Sequence, residues 1–559
     1  MNLLNKLKLN RLSASFWGYV LVILAIVLPW FLRSGYLFLT DNVWGPIIKL
    51  DWTGSWFFLK LLLSGLSFIF PVDFLEKIFI SGVLVLILLG GRMFVKAVTS
   101  TVSPGLVFVL SLFALFNPFV YDRALYGQSG VLIAYGFLLF AVAYLLRTWR
   151  TLDFKNLRLA AVFSALVLMF AVHFIFFLTP FCLLFLIGMF LRRREIKAAG
   201  GLKKFWLALL FSIVIVLTIN ANWLVALTLK ASPLANFVQQ GITSQDLVAF
   251  QTAGKNGLET FTNVLLMSGF WGKDQYRYFD LTTAPGWQRS FILLTPLIFY
   301  GVYLSFRKRS RGEKILSAGL FLIFALAVFL AVGIKSPVTR GLTMFLYDHL
   351  PLYKGLREPQ KWVAVIIPVY LFYLTLGVAR LAKVKIILNH KILSGIFLAA
   401  VIIMQAPSLL WGFNRQAKAT PYPSDWYEAD NFLIDRTPQS YNCDDKIIFL
   451  PWHAYMSFNW VGKIIANPAA TFFSCPILSG TNMEWGGIYD NSQDPDGAVI
   501  ATWLALKGQG GLPAISGNAP RYIILAKEVD FNSYLWLNKI SYLSLIKETP
   551  TLLIYEVKF

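Results

Sequence analysis

An aspartate in the run Leu39-Thr40-Asp41-Asn42-Val43-Trp44-Gly45-Pro46 stands shortly beyond the end of a long apolar block. A carboxylate held just above a membrane can take the proton from an incoming hydroxyl, the work of a general base. The same residues also suit an Asx turn ahead of Gly-Pro, which would do no chemistry. A second run, Asn117-Pro118-Phe119-Val120-Tyr121-Asp122-Arg123-Ala124-Leu125-Tyr126-Gly127-Gln128, sets Asp122 and Arg123 between two apolar blocks. Ionisable groups are expensive there and usually serve a purpose; the alternative is a local ion pair at a helix end. A third run, Tyr353-Lys354-Gly355-Leu356-Arg357-Glu358-Pro359-Gln360-Lys361-Trp362, gathers three cations and one anion at a helix start. Backbone donors, dipole and cations together suit a phosphate, although Lys and Trp also anchor helices at an interface. His173 is alone at the outer end of another helix, as a capped residue or as a catalyst.

Several soluble-enzyme signatures are missing. The chain has no P-loop, no Gly-x-Ser-x-Gly, no His-Glu-x-x-His and no Cys-x-x-Cys, and its 4 histidines argue against a histidine-rich metal site. Asp494-Pro495-Asp496-Gly497 has the opening of a calcium loop but no acid at the closing position, and reads as a turn.

The elements that must position these residues are membrane helices. Of 559 residues, 57% are apolar, 16% aromatic and only 14% charged, and the apolar residues fall in long blocks. The blocks predict eleven spans, at 15–32, 74–91, 98–118, 131–146, 157–172, 174–191, 205–225, 291–306, 315–334, 362–379 and 392–411. The apolar stretch 159–192 must then be a helical hairpin, turning near His173 or at Thr179-Pro180. The chain divides into a transmembrane module, 1–411, and a polar domain, 412–559, that lacks any run long enough to span.

The net charge of +22 poses the question of nucleic acid, but Lys and Arg punctuate the apolar blocks instead of clustering on a soluble face. Lys6, Lys8 and Arg11 precede the first span and place the N-terminus in the cytoplasm. The first span lacks a small-residue cleavage site, so it reads as a retained helix and not a signal peptide. The segments left inside, with Arg158, hold 24 Lys and Arg against 3 Asp and Glu. Everything else holds 26 against 25, so orientation accounts for the charge without nucleic acid. Eleven spans put the C-terminal domain outside the cytoplasmic membrane, and the absence of any Asn-x-Ser/Thr favours a prokaryotic chain over one exposed in a eukaryotic secretory lumen. Long external loops at 33–73 and 226–290 are rich in aromatics, including Trp44, Trp52, Trp56, Trp271, Tyr278 and Trp287, which suits the headgroup layer.

In the outer domain, Ser424 caps a helix to about Asp435, and 447–451, 522–526 and 552–557 read as buried strands with a helix at 529–539. That predicts a small α/β or α+β domain. Trp452, His453, Tyr455, Trp460 and Trp485 are candidates for a sugar-stacking acceptor surface, or for core.

At these residues the chain resembles the GT-C glycosyltransferases: an odd-numbered bundle, a cytoplasmic N-terminus, an acid in the first external loop and an outside C-terminal domain. Asn117 through Gln128 and Leu356-Arg357-Glu358-Pro359-Gln360-Lys361 are similar to the membrane module of the bacterial α-(1→3)-arabinofuranosyltransferase family. Leu450-Pro451-Trp452, Ala466-Asn467-Pro468 and Tyr522-Ile523-Ile524-Leu525 also resemble that family and the lipoteichoic-acid glycosylating membrane proteins. The resemblance implies a polyprenyl-phosphate-linked sugar donor and an envelope glycan, lipid or protein acceptor at the outer face. It makes Asp41 the base and sets Asp122, Arg123 and the cluster of Arg357, Glu358 and Lys361 near the donor; Gln128 and His173 join them as candidates for binding the donor phosphate and sugar. A monophosphate leaving group flanked by cations does not strictly need a divalent cation, which stays optional. The competing classes are a polysaccharide or lipid transporter or flippase, which wants midplane ionisable sites and an internal repeat, and a non-catalytic envelope-assembly protein.

Cys182 lies within a span, whereas Cys443 and Cys475 both fall in the outside domain, where a disulfide persists. Alkylation of the mature protein without reductant is expected to leave Cys443 and Cys475 unmodified. A mass shift showing both thiols free would remove the pairing.

Overall fold

The computed structural model describes residues 14–198, 201–229, 244–275, 277–307, 310–350, 352–384, 387, 389–436, 446–481, 483–485, 488–490, 495–515 and 520–558. It resolves into two compact units. The first is helical and holds most of the apolar blocks. The second combines 417–559 with two earlier pieces, 29–51 and 58–78.

In the helical unit, every predicted span falls on helix. Among the described residues seven helices are long and apolar enough to cross a membrane, and nine if two bent pairs, Pro104–Leu115 with Pro118–Tyr126 and Lys391–Ile403 with Pro407–Asn414, each count as one span. The remaining two expected spans fall on the helices Ala14–Phe31 and Lys155–Phe170, which are not among those nine. The count of eleven is therefore approximate. The stretch 159–192 does break near His173. Ala171 is extended, Val172–Phe174 form one 3₁₀ turn, and Ile175–Leu191 continues as a helix through Pro180. The break is thus at 171–174 and not at Thr179-Pro180.

One span is central. The helix at Pro359–Leu381 is 94% buried, whereas Leu202–Ile219 is 17% buried and peripheral. The central helix packs backbone to backbone on Trp287–Phe306. A Cβ on Gly301 would lie 1.9 Å from the Tyr373 carbonyl oxygen, and one on Gly377 would lie 2.2 Å from that of Leu297. Small residues at such a contact let membrane helices approach closely.

The segments assigned to the inside meet at one end of this unit. Arg150 forms a two-pronged pair with Glu313, Nε and Nη2 each 3.1 Å from a carboxylate oxygen, and donates to the Ala97 and Val98 carbonyls. Arg192 donates to the Trp149 carbonyl and to Glu195. Fork geometry of this kind fixes orientation as well as contributing energy.

The second unit is an α/β domain. Its sheet runs Ile477–Leu478, Ile447–Leu450, Tyr522–Ala526, Leu552–Val557, Leu543–Glu548, parallel at the first two joints and antiparallel at the last two. Strand alternation splits the core. Ile447 and Phe449 face a cluster with Trp426, Phe472 and Phe473, while Ile448 and Leu450 face one with Trp452, Ile500 and Trp503. Ser424–Arg436 is helical as expected, and the segment expected to be helical at 529–539 is a 3₁₀ helix, Phe531–Lys539. Asp494 lies outside the described residues, but Pro495–Ala505 is a helix, so Pro495, Asp496 and Gly497 open a helix and do not form a free turn. Proline's missing N–H costs nothing in a first turn.

Residues 33–51 and 58–73 of the first external loop belong to this unit, whereas 52–57 belong to the helical one. Tyr36 and Thr420 exchange backbone hydrogen bonds, and Tyr36 and Phe38 are buried in the domain core. Hydropathy cannot show that, because it reads a loop only as a gap between spans. The helix Phe57–Ser67 has no buried residue and exposes Phe58, Leu61 and Leu62, which suits an apolar surface at the membrane.

Single-cysteine probes test the orientation. At Glu195, which is exposed, a membrane-impermeant thiol reagent applied to sealed cells is expected to give no labelling. At the exposed Lys255 and Lys507 it is expected to label. Labelling at Glu195 from outside would break the topology.

Candidate active site

The expected site residues fall into two sets, one in each unit. In the helical unit the set is built around the short helix Pro118–Tyr126. The sequence suggests a connection between spans here; the structure makes it a fully buried helix, bent 53° from Pro104–Leu115. The bend is spelled locally. Asn117 accepts from the Val120 N–H at 3.0 Å and donates to the Phe113 and Ala114 carbonyls, so one side chain closes one helix and opens the next. Pro118 takes the first helical position, and Gly127, at φ +85°, ends the helix in the left-handed region.

That helix delivers Arg123 into the interior with no exposed surface. Its guanidinium lies over the Phe270 ring, 4.3 Å from the centroid. It donates to Gln128 and Glu358, and at 2.5 Å to Gln360 Oε1, while its Nε has no hydrogen-bond partner among the described residues. Glu358 Oε1 lies 2.9 Å from Lys361 Nζ, and its Oε2 also accepts from Trp271 Nε1 at 2.8 Å. Burial alone would raise the Glu358 carboxyl, but Lys361 and Arg123 hold it well below the usual carboxylate range. The result is two buried cations sharing one carboxylate, a local excess of one positive charge. Glu358 directly precedes the central span, so the cluster lies at a span end.

The other members of the expected set divide. His173 packs on Gly355, within electrostatic reach of Lys361, Glu358 and Arg123, and its Nε2 is buried without a partner among the described residues. Arg357 turns away from Glu358, pairing with Asp246 at 3.2 Å and covering the Phe250 ring. Asp122 is buried and accepts from Tyr278 Oη at 3.2 Å. Burial, together with that carboxylate, keeps the Tyr278 phenol well above its ordinary value, so it stays a donor. Arg123, Gln128, Glu358 and Lys361 are thus in direct contact, with His173 beside them. Sequence reasoning missed the roles of Gln360, Asp246 and Phe270, and assigned Trp271 and Tyr278 to a headgroup layer. Trp271 is buried against Glu358. Its adjacency to a polar cluster has no local sequence signal, since the partners are far apart in the chain.

In the second unit, Asp41 is an exposed carboxylate at the end of a tightly held loop. The start of the helix Val72–Val98 grips the loop backbone. Asp73 accepts from the Gly35 N–H at 3.0 Å, Glu76 from the Leu37 N–H at 2.9 Å, and Lys77 donates to the Arg33 carbonyl at 2.8 Å. Gly35, at φ +98°, approaches Thr420 so closely that a Cβ would lie 2.2 Å from its carbonyl carbon. Phe38 takes φ +47°, unusual for a bulky residue, and stays there because its ring is locked against Tyr422 and Trp460. Beyond it, the Thr40 carbonyl accepts from the Ala466 N–H at 2.8 Å, and Asp41 Oδ1 accepts from Tyr455 Oη at 3.0 Å.

The candidate acceptor residues do not form one surface. Trp452 is core, 6% exposed, and not a stacking platform. His453 is half-buried, with Nε2 3.2 Å from Asp530 Oδ1. Tyr455 turns to Asp41, and the Trp485 side chain lies outside the described residues. Trp460 packs with Tyr422 and Trp426. Cys475 is buried in the same core; Cys443 lies outside the described residues. Among the described residues no group of three or more His, Cys, Asp or Glu could hold a metal ion.

Removing the shared anion is expected to be severe. Glu358→Ala strands two buried cations and is predicted to cost about 3–5 kcal/mol of stability, read as a lower midpoint of thermal unfolding in detergent. An unchanged midpoint would contradict the ion-pair reading.

No family model matches the chain, and no curated protein matches it in sequence. Solved structures do. The arabinofuranosyltransferase AftD from Mycobacteria is similar with a TM-score of 0.57 and 14% identity, over 98% of this chain and 40% of that one. This chain therefore spans about two-fifths of AftD's length. The oligosaccharyltransferase of Archaeoglobus fulgidus (TM-score 0.49, 13% identity, 92% of this chain and 68% of that one) and ArnT from Cupriavidus metallidurans (0.48, 12%, 97% and 98%) are looser likenesses that carry no weight. At such identities likeness speaks to fold: the chain has a polytopic helical membrane fold like that of AftD, with a small C-terminal sheet domain.

Proposed function

We propose that the protein is a membrane glycosyltransferase of the bacterial cytoplasmic membrane, moving a pentose or hexose from a polyprenyl-phosphate donor to an envelope glycan, lipid or protein at the outer face. The observation that carries this reading is the net-cationic cluster of Arg123, Glu358 and Lys361 at the end of the central span. Lipid phosphates stay at headgroup depth, so their cationic partners must be at span ends. The AftD-like fold supports the reading, and AftD's own name favours a pentose.

In the proposed reaction Asp41 takes the proton of the acceptor hydroxyl. The acceptor oxygen bonds to the anomeric carbon as the bond from that carbon to the phosphate oxygen breaks. Polyprenyl phosphate leaves with the electron pair, and its growing charge is offset by Lys361 and Arg123, with Arg357 nearby. Gln128, His173, Asp122 and Glu358 orient the donor or its cations. His453 remains a candidate for the acceptor, and a Cys443–Cys475 bridge would brace the outer domain. No step requires a divalent cation.

The test is mass spectrometry of envelope glycans from cells with and without the protein, and with Asp41→Asn. Loss of a general base is expected to cost about 10²–10⁴-fold in transfer with folding intact. Undiminished transfer by Asp41→Asn would sink the assignment and return the transporter and assembly readings to the front.

A further inference from the structure

The second unit places a phenol on the candidate base. Tyr455 begins the strand Tyr455–Phe458, which pairs antiparallel with Lys463–Ala466 in the register Tyr455↔Ala466 to Phe458↔Lys463. Met456, Phe458 and Ile465 are buried in the domain core with Phe38 and Trp426. Tyr455 and Ser457 therefore point to the opposite face. The same end of the hairpin makes two contacts to consecutive residues of the first loop. The Ala466 N–H donates to the Thr40 carbonyl at 2.8 Å, and Tyr455 Oη donates to Asp41 Oδ1 at 3.0 Å. Backbone at residue 40 and side chain at residue 41 are thus referenced to one rigid piece, although 414 residues separate the partners of the second contact.

From this geometry we infer that Tyr455 is a positioning residue for Asp41: its hydroxyl selects one orientation of the carboxylate and stabilises its charged form. The inference rests on the proposed role of Asp41 as base. A base must lie within hydrogen-bond reach of the proton it takes, and a fixed donor orients the carboxylate toward it. A donor to the charged form also favours that form. Tyr455 is therefore assigned to the base and not to acceptor stacking. A corollary follows for the outer domain. It is the scaffold on which the base is held, because the hairpin, Thr420 and the core around Phe38 all fix the loop that carries Asp41.

The test uses the full-length protein in phosphatidylglycerol vesicles, with aspartate labelled by ¹³C at the side-chain carboxyl. The difference spectrum against Asp41→Asn identifies the Asp41 signal, and its titration is followed in wild type and in Tyr455→Phe, which keeps the ring and removes one donor. The midpoint is expected to move upward in Tyr455→Phe with thermal unfolding unchanged; an unmoved midpoint overturns the inference. Turnover is read as farnesyl phosphate released from farnesyl-phosphoryl arabinofuranose, mannose and glucose with octyl glycoside acceptors. Tyr455→Phe is expected to lower kcat about ten- to a hundredfold, the worth of a hydrogen bond to a charged group, with KM unchanged and the acidic limb of the pH profile moved upward. Loss in Asp41→Asn without loss in Tyr455→Phe overturns the positioning role and leaves the base standing. Full activity in Asp41→Asn overturns the base, and the titration then still decides whether the contact exists.

Discussion

A guanidinium with no exposed surface must find its counter-charge inside the protein, and Glu358 supplies it for Arg123. Taking a charge out of water is costly enough that such a group needs a counter-charge and hydrogen-bond acceptors within reach. The helical unit is arranged around that requirement. Asn117, Pro118 and Gly127 shape a short bent helix that brings Arg123 inward. Gln128 and Gln360 take its donors, Phe270 covers its face, and Lys361 and Trp271 occupy the remaining capacity of Glu358. Each of these residues answers a local deficit left by the one before it.

The second unit meets a different constraint. Asp41 is exposed, and an exposed loop is ordinarily mobile. Here rigidity comes from backbone capture. Carboxylates of Asp73 and Glu76 take N–H groups of the loop, Lys77 takes a carbonyl, and a β-bridge to Thr420 and the Ala466 contact to Thr40 complete the hold. The left-handed Phe38 persists because the surrounding aromatics fix its ring. Strain of this kind is kept only where neighbours over-determine it, and functional loops are where it tends to be found.

What the sequence reveals follows from the range of each signal. Hydropathy is local, so every expected span appears as helix, with spans 98–118 and 392–411 bent and two others short. Short continuous apolar runs are local signals too, and the strands Tyr522–Ala526 and Leu552–Val557 coincide with theirs, buried along almost their whole length. Membership of Asp122, Arg123, Glu358 and Lys361 in polar clusters was legible because charges beside apolar blocks are conspicuous. Their partners were not. Nothing near Trp271 announces Glu358, and nothing near Asp246 announces Arg357, because those pairs are 87 and 111 residues apart. Trp452 misled for the same reason: its type suits a sugar platform, but its place after a buried strand turns it into core.

The pairing of Arg123 and Lys361 with Glu358 also bears on what the cluster can do. Two free cations would grip a lipid phosphate strongly both before and after transfer, and uniform binding does not accelerate a reaction. Sharing one carboxylate reduces the excess to a single positive charge held in fixed geometry. On the proposed reading, such a site gains most from the charge that grows on the leaving phosphate as the glycosidic bond breaks. Its dipoles and charges are already oriented, so little reorganisation is needed at that moment. Glu358 would then serve by limiting attraction as much as by holding the cations in place. On that reading, an anion at the centre of the cluster is compatible with a ligand that is itself anionic.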